Sequence, residues 1–143
     1  MKPIKTGLLL IGTFFSLFSF AQGGNFVVPE NTQIQMKFDQ DYREKKNKVG
    51  EIAKLSVLED VLVNGKVVVA KGASVDAKVT NSKKFELRVD IYSASAVDGT
   101  KLILNDCWVF TTAAQNYKSK GALIVTGTKK NCFVKEATKI NAK

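Results

Sequence analysis

Two cysteines, thirteen carboxylates and no histidine set the limits of what this chain of 143 residues can do chemically. Without an imidazole, nucleophilic catalysis of the Ser-His-Asp or Cys-His kind is excluded. Zinc or iron would have to be held by carboxylates and two distant cysteines, a poor donor set. Cys107 and Cys132 also lack the C-x-x-C spacing of a redox pair. An even cysteine count in a chain carrying an export leader favours one structural disulfide over two free buried thiols. Joined, Cys107 and Cys132 would close a loop of about 26 residues, worth on the order of 3 kcal/mol in the chain-entropy account.

The carboxylates offer little more. Asp39, Asp41 and Glu44 lie close together, but the spacing lacks the central glycine and distant bidentate glutamate of a calcium loop, and three lysines stand beside them. Asp76, Asp90, Asp98 and Asp106 could in principle supply a pair for glycoside chemistry. Their places beside turns and on polar strand faces mark them instead as solvated. Ser82-Lys83 and Ser119-Lys120 are adjacent pairs, and neighbours on a strand point to opposite faces, so neither forms a dyad by itself. Phosphate loops of the G-x-x-x-x-G-K-[ST] or G-x-G-x-x-G kind are absent. The expectation is a protein with no catalytic residues, no metal and no cofactor. An enzyme with an unfamiliar site would reveal itself by a deep pocket with converging carboxylates.

Charge points outward rather than to a reaction. The chain has 22 basic and 13 acidic residues. All but Arg43 and Arg88 of the basic ones are lysines, hydrated point charges without the planar fork that grips phosphate. They are scattered apart from Arg43, Lys45, Lys46 and Lys48 in one loop and Lys118 and Lys120 in another. Much of this charge reads as solubility, with those two loops as candidate contacts to an anionic glycan or lipid surface. Nucleic-acid binding would want aromatics on an exposed basic face. Tyr42 and Tyr117 are the only candidates for that role, and an exported protein has little occasion for it.

The elements that must position these groups begin after residue 21. Lys2 and Lys5 precede an apolar run, Leu8 to Phe20, and Ser19-Phe20-Ala21 places small residues where a signal peptidase reads. The layout predicts cleavage before Gln22. The run falls short of the ~20 residues a bilayer helix needs, and no cysteine at the cleavage point indicates a lipid anchor. Residues 22–143 then form one β-rich domain, long enough for a real core.

Within that domain apolar residues mostly alternate, the period of a half-buried strand. Ile34, Met36 and Phe38 alternate with polar residues, and Phe85, Leu87, Val89 and Ile91 do so most cleanly. Asp39 to Lys48 has no apolar period and reads as an exposed loop or hairpin end. Gly50 to Val63 fits both a helical stripe and a strand; its valines and the closing Asn64-Gly65, a strong hairpin signal, favour strand. Trp108 is expected in the core, Thr111 to Gly121 as a long loop, and Asn141 to Lys143 as a frayed tail. A bend bearing Asn or Gly between apolar residues recurs at Val28–Ile34, Val69–Val75 and Val125–Val134. Turn signals every 8–15 residues or so predict an all-β barrel or sandwich of about seven to nine short, mainly antiparallel strands.

The string VLEDVLVNGKVVVAKGASVDAKVT, with VPENTQIQMKF before it and VDGTKLILND after it, resembles a small barrel pattern of bacterial envelope proteins. It is similar to the periplasmic barrel of TrbI-type conjugation and type IV secretion proteins over residues 28–104, and loosely over 122–134. Asn31 and Ala73 depart from that pattern's usual turn residues, and there is no inner-membrane helix or proline-rich spacer. The resemblance implies a barrel used for assembly and transfers no catalytic residue. The expected function is therefore a non-enzymatic envelope module, in the periplasm or outside the cell, that contacts another envelope protein or its own copies. Binding of an anionic surface or glycan through the lysine loops is the alternative.

Overall fold

Strict alternation of valine, isoleucine and leucine with polar residues commits this chain to strands, because only a pleated backbone sends such a pattern to two faces. The computed structural model describes residues 25–115 and 120–142, and the leader expected at residues 1–21 lies outside them. Among the described residues there are twelve strands: β1 Asn25–Val28, β2 Gln33–Phe38, β3 Tyr42–Arg43, β4 Leu55–Val57, β5 Val61–Val63, β6 Lys66–Val69, β7 Ser74–Lys83, β8 Glu86–Ser95, β9 Lys101–Thr112, β10 Leu123–Ile124, β11 Lys129–Phe133 and β12 Thr138–Asn141. The all-β expectation holds. The strand number exceeds it because several strands run only two to four residues, too short to register as a period.

Six strands make the principal sheet in the order β11-β2-β4-β7-β8-β9, each antiparallel to its neighbours. The two outer strands come back together. Leu104 bridges Val134, Lys135 N donates to Ile103 O at 2.9 Å, and a disulfide joins Cys107 of β9 to Cys132 of β11 with Cα atoms 5.8 Å apart. The sheet is thus nearly closed, a barrel rather than a sandwich. Closure removes most of the free edge that a sheet would otherwise offer to aggregation.

Inward faces of the six strands fill the interior. Ile34, Met36 and Phe38 meet Val57, Val79, Leu87, Val89 and Leu102, all of them essentially without solvent contact. Small hairpins and ribbons complete the shell. Asn64-Gly65 closes β5 onto β6 with both residues in the left-handed region (φ 50° and 80°), as an Asn-Gly hairpin requires. The three recurrent bends each carry one such residue, Asn31, Gly72 and Gly127.

Several expectations are corrected. Asp39 to Lys48 is not wholly loop: β3 pairs with β10, and Tyr42 is fully buried, its ring edge-on to Phe38 at 6.0 Å. Its hydroxyl accepts from Lys54 N at 2.6 Å, which lets a phenol sit in the core. The strand reading of Gly50 to Val63, by contrast, holds, as two short strands joined by a bend, with Ile52 bridging Lys78. Phe85 belongs to the β7–β8 turn, with φ 69°, and β8 starts one residue later. β9 runs on to Thr112, so the expected loop begins later. Asn141 and Ala142 are held, not frayed: β12 pairs with β1, and Ala142 is buried. Trp108 stands outside the core.

Candidate functional site

Four large apolar side chains project from one face of the barrel wall: Tyr92, Ile103, Trp108 and Phe110, each between 44 and 48% exposed except Trp108 at 42%. A break in strand register puts them there. Between Ile91 and Ser93 the β8–β9 pairing slips, so that Ile91 faces Cys107 while Ser93 faces Ile103. Three residues of β9, Leu104 to Asp106, thus stand against the single Tyr92. Such a bulge bends both strands and resets which face each side chain takes. Before it, Leu102 and Leu104 point inward; after it, Cys107 does, and Trp108 and Phe110 point out.

The bend opens a groove of about 470 Å³ on the outer surface, lined by Arg88, Asp90, Tyr92, Ile103, Asp106 and Trp108 among others. Arg88 organises its floor. Its Nε donates to Asp90 Oδ1 at 2.7 Å, and its guanidinium lies over the Trp108 ring, 4.7 Å from the centroid. That stacked ion pair fixes the indole plane without burying it. Trp, Tyr and Arg on an open apolar surface are the residue types that dominate contact energetics.

The carboxylates considered for metal or glycoside chemistry are occupied separately. Asp41 Oδ1 accepts from Thr126 N (2.7 Å) and Thr126 Oγ1 (2.8 Å), and those bonds hold its carboxyl below the usual range. Asp39 accepts from Ser56 Oγ at 2.9 Å, and Glu44 lies against Gly121. Asp76 is lowered by Lys101 Nζ at 2.7 Å and Ser93 Oγ at 2.6 Å. Asp98 is lowered by backbone donors, Asn141 N at 2.8 Å and Thr100 N at 2.9 Å. Only Asp90 and Asp106 share a groove, and Asp90 is committed to Arg88. Ser82 Oγ accepts from Lys45 N, so the Ser82-Lys83 pair serves a turn rather than a dyad.

The sequence-predicted residues fall into two groups. Cys107 and Cys132 meet in the disulfide across the seam. Lys120 comes to the first lysine loop: Arg43 pairs with Leu123, and Glu44 N donates to Ala122 O at 3.1 Å, which sets Arg43, Lys45, Lys46 and Lys48 beside Lys120. Lys118 and Tyr117 lie outside the described residues. Sequence reasoning missed the Arg88–Trp108 face altogether. The signal was Asn105-Asp106, two consecutive polar residues that interrupt the alternation of β9. No protein-family model matches this sequence, and no curated protein matches it.

Proposed function

We propose that this chain is an exported, non-enzymatic β-barrel module of the cell envelope that works by contact with another protein, and that the Trp108 face is where contact is made. One observation carries the reading: Tyr92, Ile103, Trp108 and Phe110 are left open together on a rigid sheet, around a stacked arginine. A monomer with no partner has little reason to keep such a cluster in water. The leader expected at residues 1–21 supports export, and the Cys107–Cys132 disulfide suits an oxidising compartment. The assembly role implied by the TrbI-type resemblance agrees with contact rather than turnover.

The test is site-specific photo-crosslinking in cells of origin. With p-benzoylphenylalanine at position 110, irradiation is expected to give one discrete adduct with an envelope protein, or a dimer of the chain if the partner is its own copy. The adduct should vanish when Trp108→Ala is added, and should not form from position 62 on the separate β5–β6 hairpin, where Leu62 is also exposed. No adduct from position 110, or equal adducts from both positions, would refute the proposal.

A further inference from the structure

We infer that the lysine-rich end of the barrel, with the groove running along β7, binds an acidic polysaccharide. This site adjoins the Trp108 face at the Arg88–Asp90 pair but does not rest on the protein-contact reading. The fold assembles it from three segments distant in sequence. The β3–β10 pairing joins the 43–48 loop to Lys120. The bond from Lys45 N to Ser82 Oγ, 2.8 Å, then lays that loop against the end of β7, next to Lys83 and Lys84. All these basic side chains are exposed. Among the described residues the ion pairs are Lys37–Asp39, Arg88–Asp90 and Lys101–Asp76, and none uses the cations of this end. The neighbouring acids bond to neutral groups, Asp41 to Thr126, Glu51 to Asn47 Nδ2 at 2.7 Å and Glu86 to Asn81 Nδ2 at 3.0 Å, and Glu44 Oε2 is covered without a hydrogen-bond partner. Among the described residues the result is a local excess of positive charge, tempered by Asp41, Glu44 and Glu51 but bound in no ion pair.

A groove of about 390 Å³ leads from these lysines to the Arg88–Asp90 pair. Its described lining is Val49, Thr80, Asn81, Ser82, Lys83, Arg88 and Asp90, hydroxyl and amide groups between charges. The register slip between Val79 and Asn81 takes Thr80 out of the ladder. Thr80 Oγ1 and Asn81 Oδ1 find no hydrogen-bond partner within the protein, an uncommon state for covered polar atoms. The shape and chemistry select among polyanions. A groove suits a linear chain better than a membrane plane. It holds no aromatic ring on which a nucleobase would stack. Cationic heads spread along the groove match carboxylates or sulfates spaced along a sugar polymer.

The experiment titrates fluorescently labelled alginate oligomers into the purified mature protein at low and moderate salt. Dextran sulfate, neutral dextran, anionic phosphatidylglycerol vesicles and a single-stranded oligonucleotide serve as comparison probes. Alginate or dextran sulfate is expected to bind, separating carboxylate from sulfate preference, and neutral dextran is not. Lys45→Gln/Lys46→Gln/Lys48→Gln should weaken binding roughly tenfold and flatten its salt dependence. Alginate should bind several-fold more tightly than a polyacrylate of matched charge and length, which simple ion exchange would not do. Ile103→Ala, which lines only the Trp108 groove, should leave this binding unchanged while weakening the crosslink from position 110, so the two proposals fail independently. Circular dichroism of each variant checks the fold. Absence of binding to either acidic polymer, equal binding by vesicles or oligonucleotide, or indifference to the lysine changes would overturn the inference.

Discussion

Trp108 shows how one residue's role depends on a count that the sequence hides. On β9, Leu102 and Leu104 point inward, and continued alternation would send residues 106, 108 and 110 inward too. A sequence reading places the indole in the core because large aromatics are usually buried, and unbroken parity would agree. The bulge at Asn105-Asp106 moves the inward set to odd numbers, so Cys107 is buried and Trp108 is not. Trp108→Ala should therefore cost well under the ~3–5 kcal/mol of a core Trp truncation, as read by urea unfolding. Tyr42 runs the other way: it sits in a stretch with no apolar period yet is fully buried. Tyr42→Phe leaves Lys54 N without its acceptor and should destabilise by about 1–2 kcal/mol in the same assay. Asp41, Asp76 and Asp98 give the pH dependence. Each is lowered from its ordinary 3.8 by bonds made in the fold. A carboxyl with a lower pKa folded than unfolded stabilises fully above the unfolded value and loses that stabilisation as pH falls through the folded one. Stability should thus be flat near neutrality and decline below about pH 4. Asp98→Asn should be less stable than the parent at pH 7, with the gap closing in acid, measured by thermal unfolding across pH.

At the scale of elements, the seam between β9 and β11 is the weakest closure in the barrel, since a single bridge and the bond from Lys135 to Ile103 span it apart from the disulfide. Converting both cysteines to serine should cost on the order of 3 kcal/mol. The loss should appear as a lower denaturant midpoint in the reduced wild type and in Cys107→Ser/Cys132→Ser alike. The pairing was legible from the even cysteine number together with the expectation of an export leader. So was the β5–β6 hairpin, because Asn64-Gly65 has few conformational alternatives. The β3–β10 and β1–β12 ribbons were not legible: each joins residues about 80 or more positions apart, and two to four residues carry no readable period.

For the whole molecule, period-two alternation and regular turns made the all-β class readable, whereas closure depended on long-range pairing that no local pattern encodes. The same holds for function. The lysines were visible in the chain, but only the fold brings Lys120 to the 43–48 loop, and the Trp108 face exists only because a bulge redirects one strand. The molecule that results has a valine-rich interior and two outward surfaces of different chemistry, one aromatic and one cationic. The central claim is that the aromatic one stands open in the free protein and is covered in use. Trp108 is the chain's only tryptophan, so its emission reports that face alone. The account predicts red-shifted emission, readily quenched by acrylamide, in the purified mature protein, and protection from quenching once the crosslinked partner is bound. Blue-shifted emission that resists quenching in the free protein would contradict it.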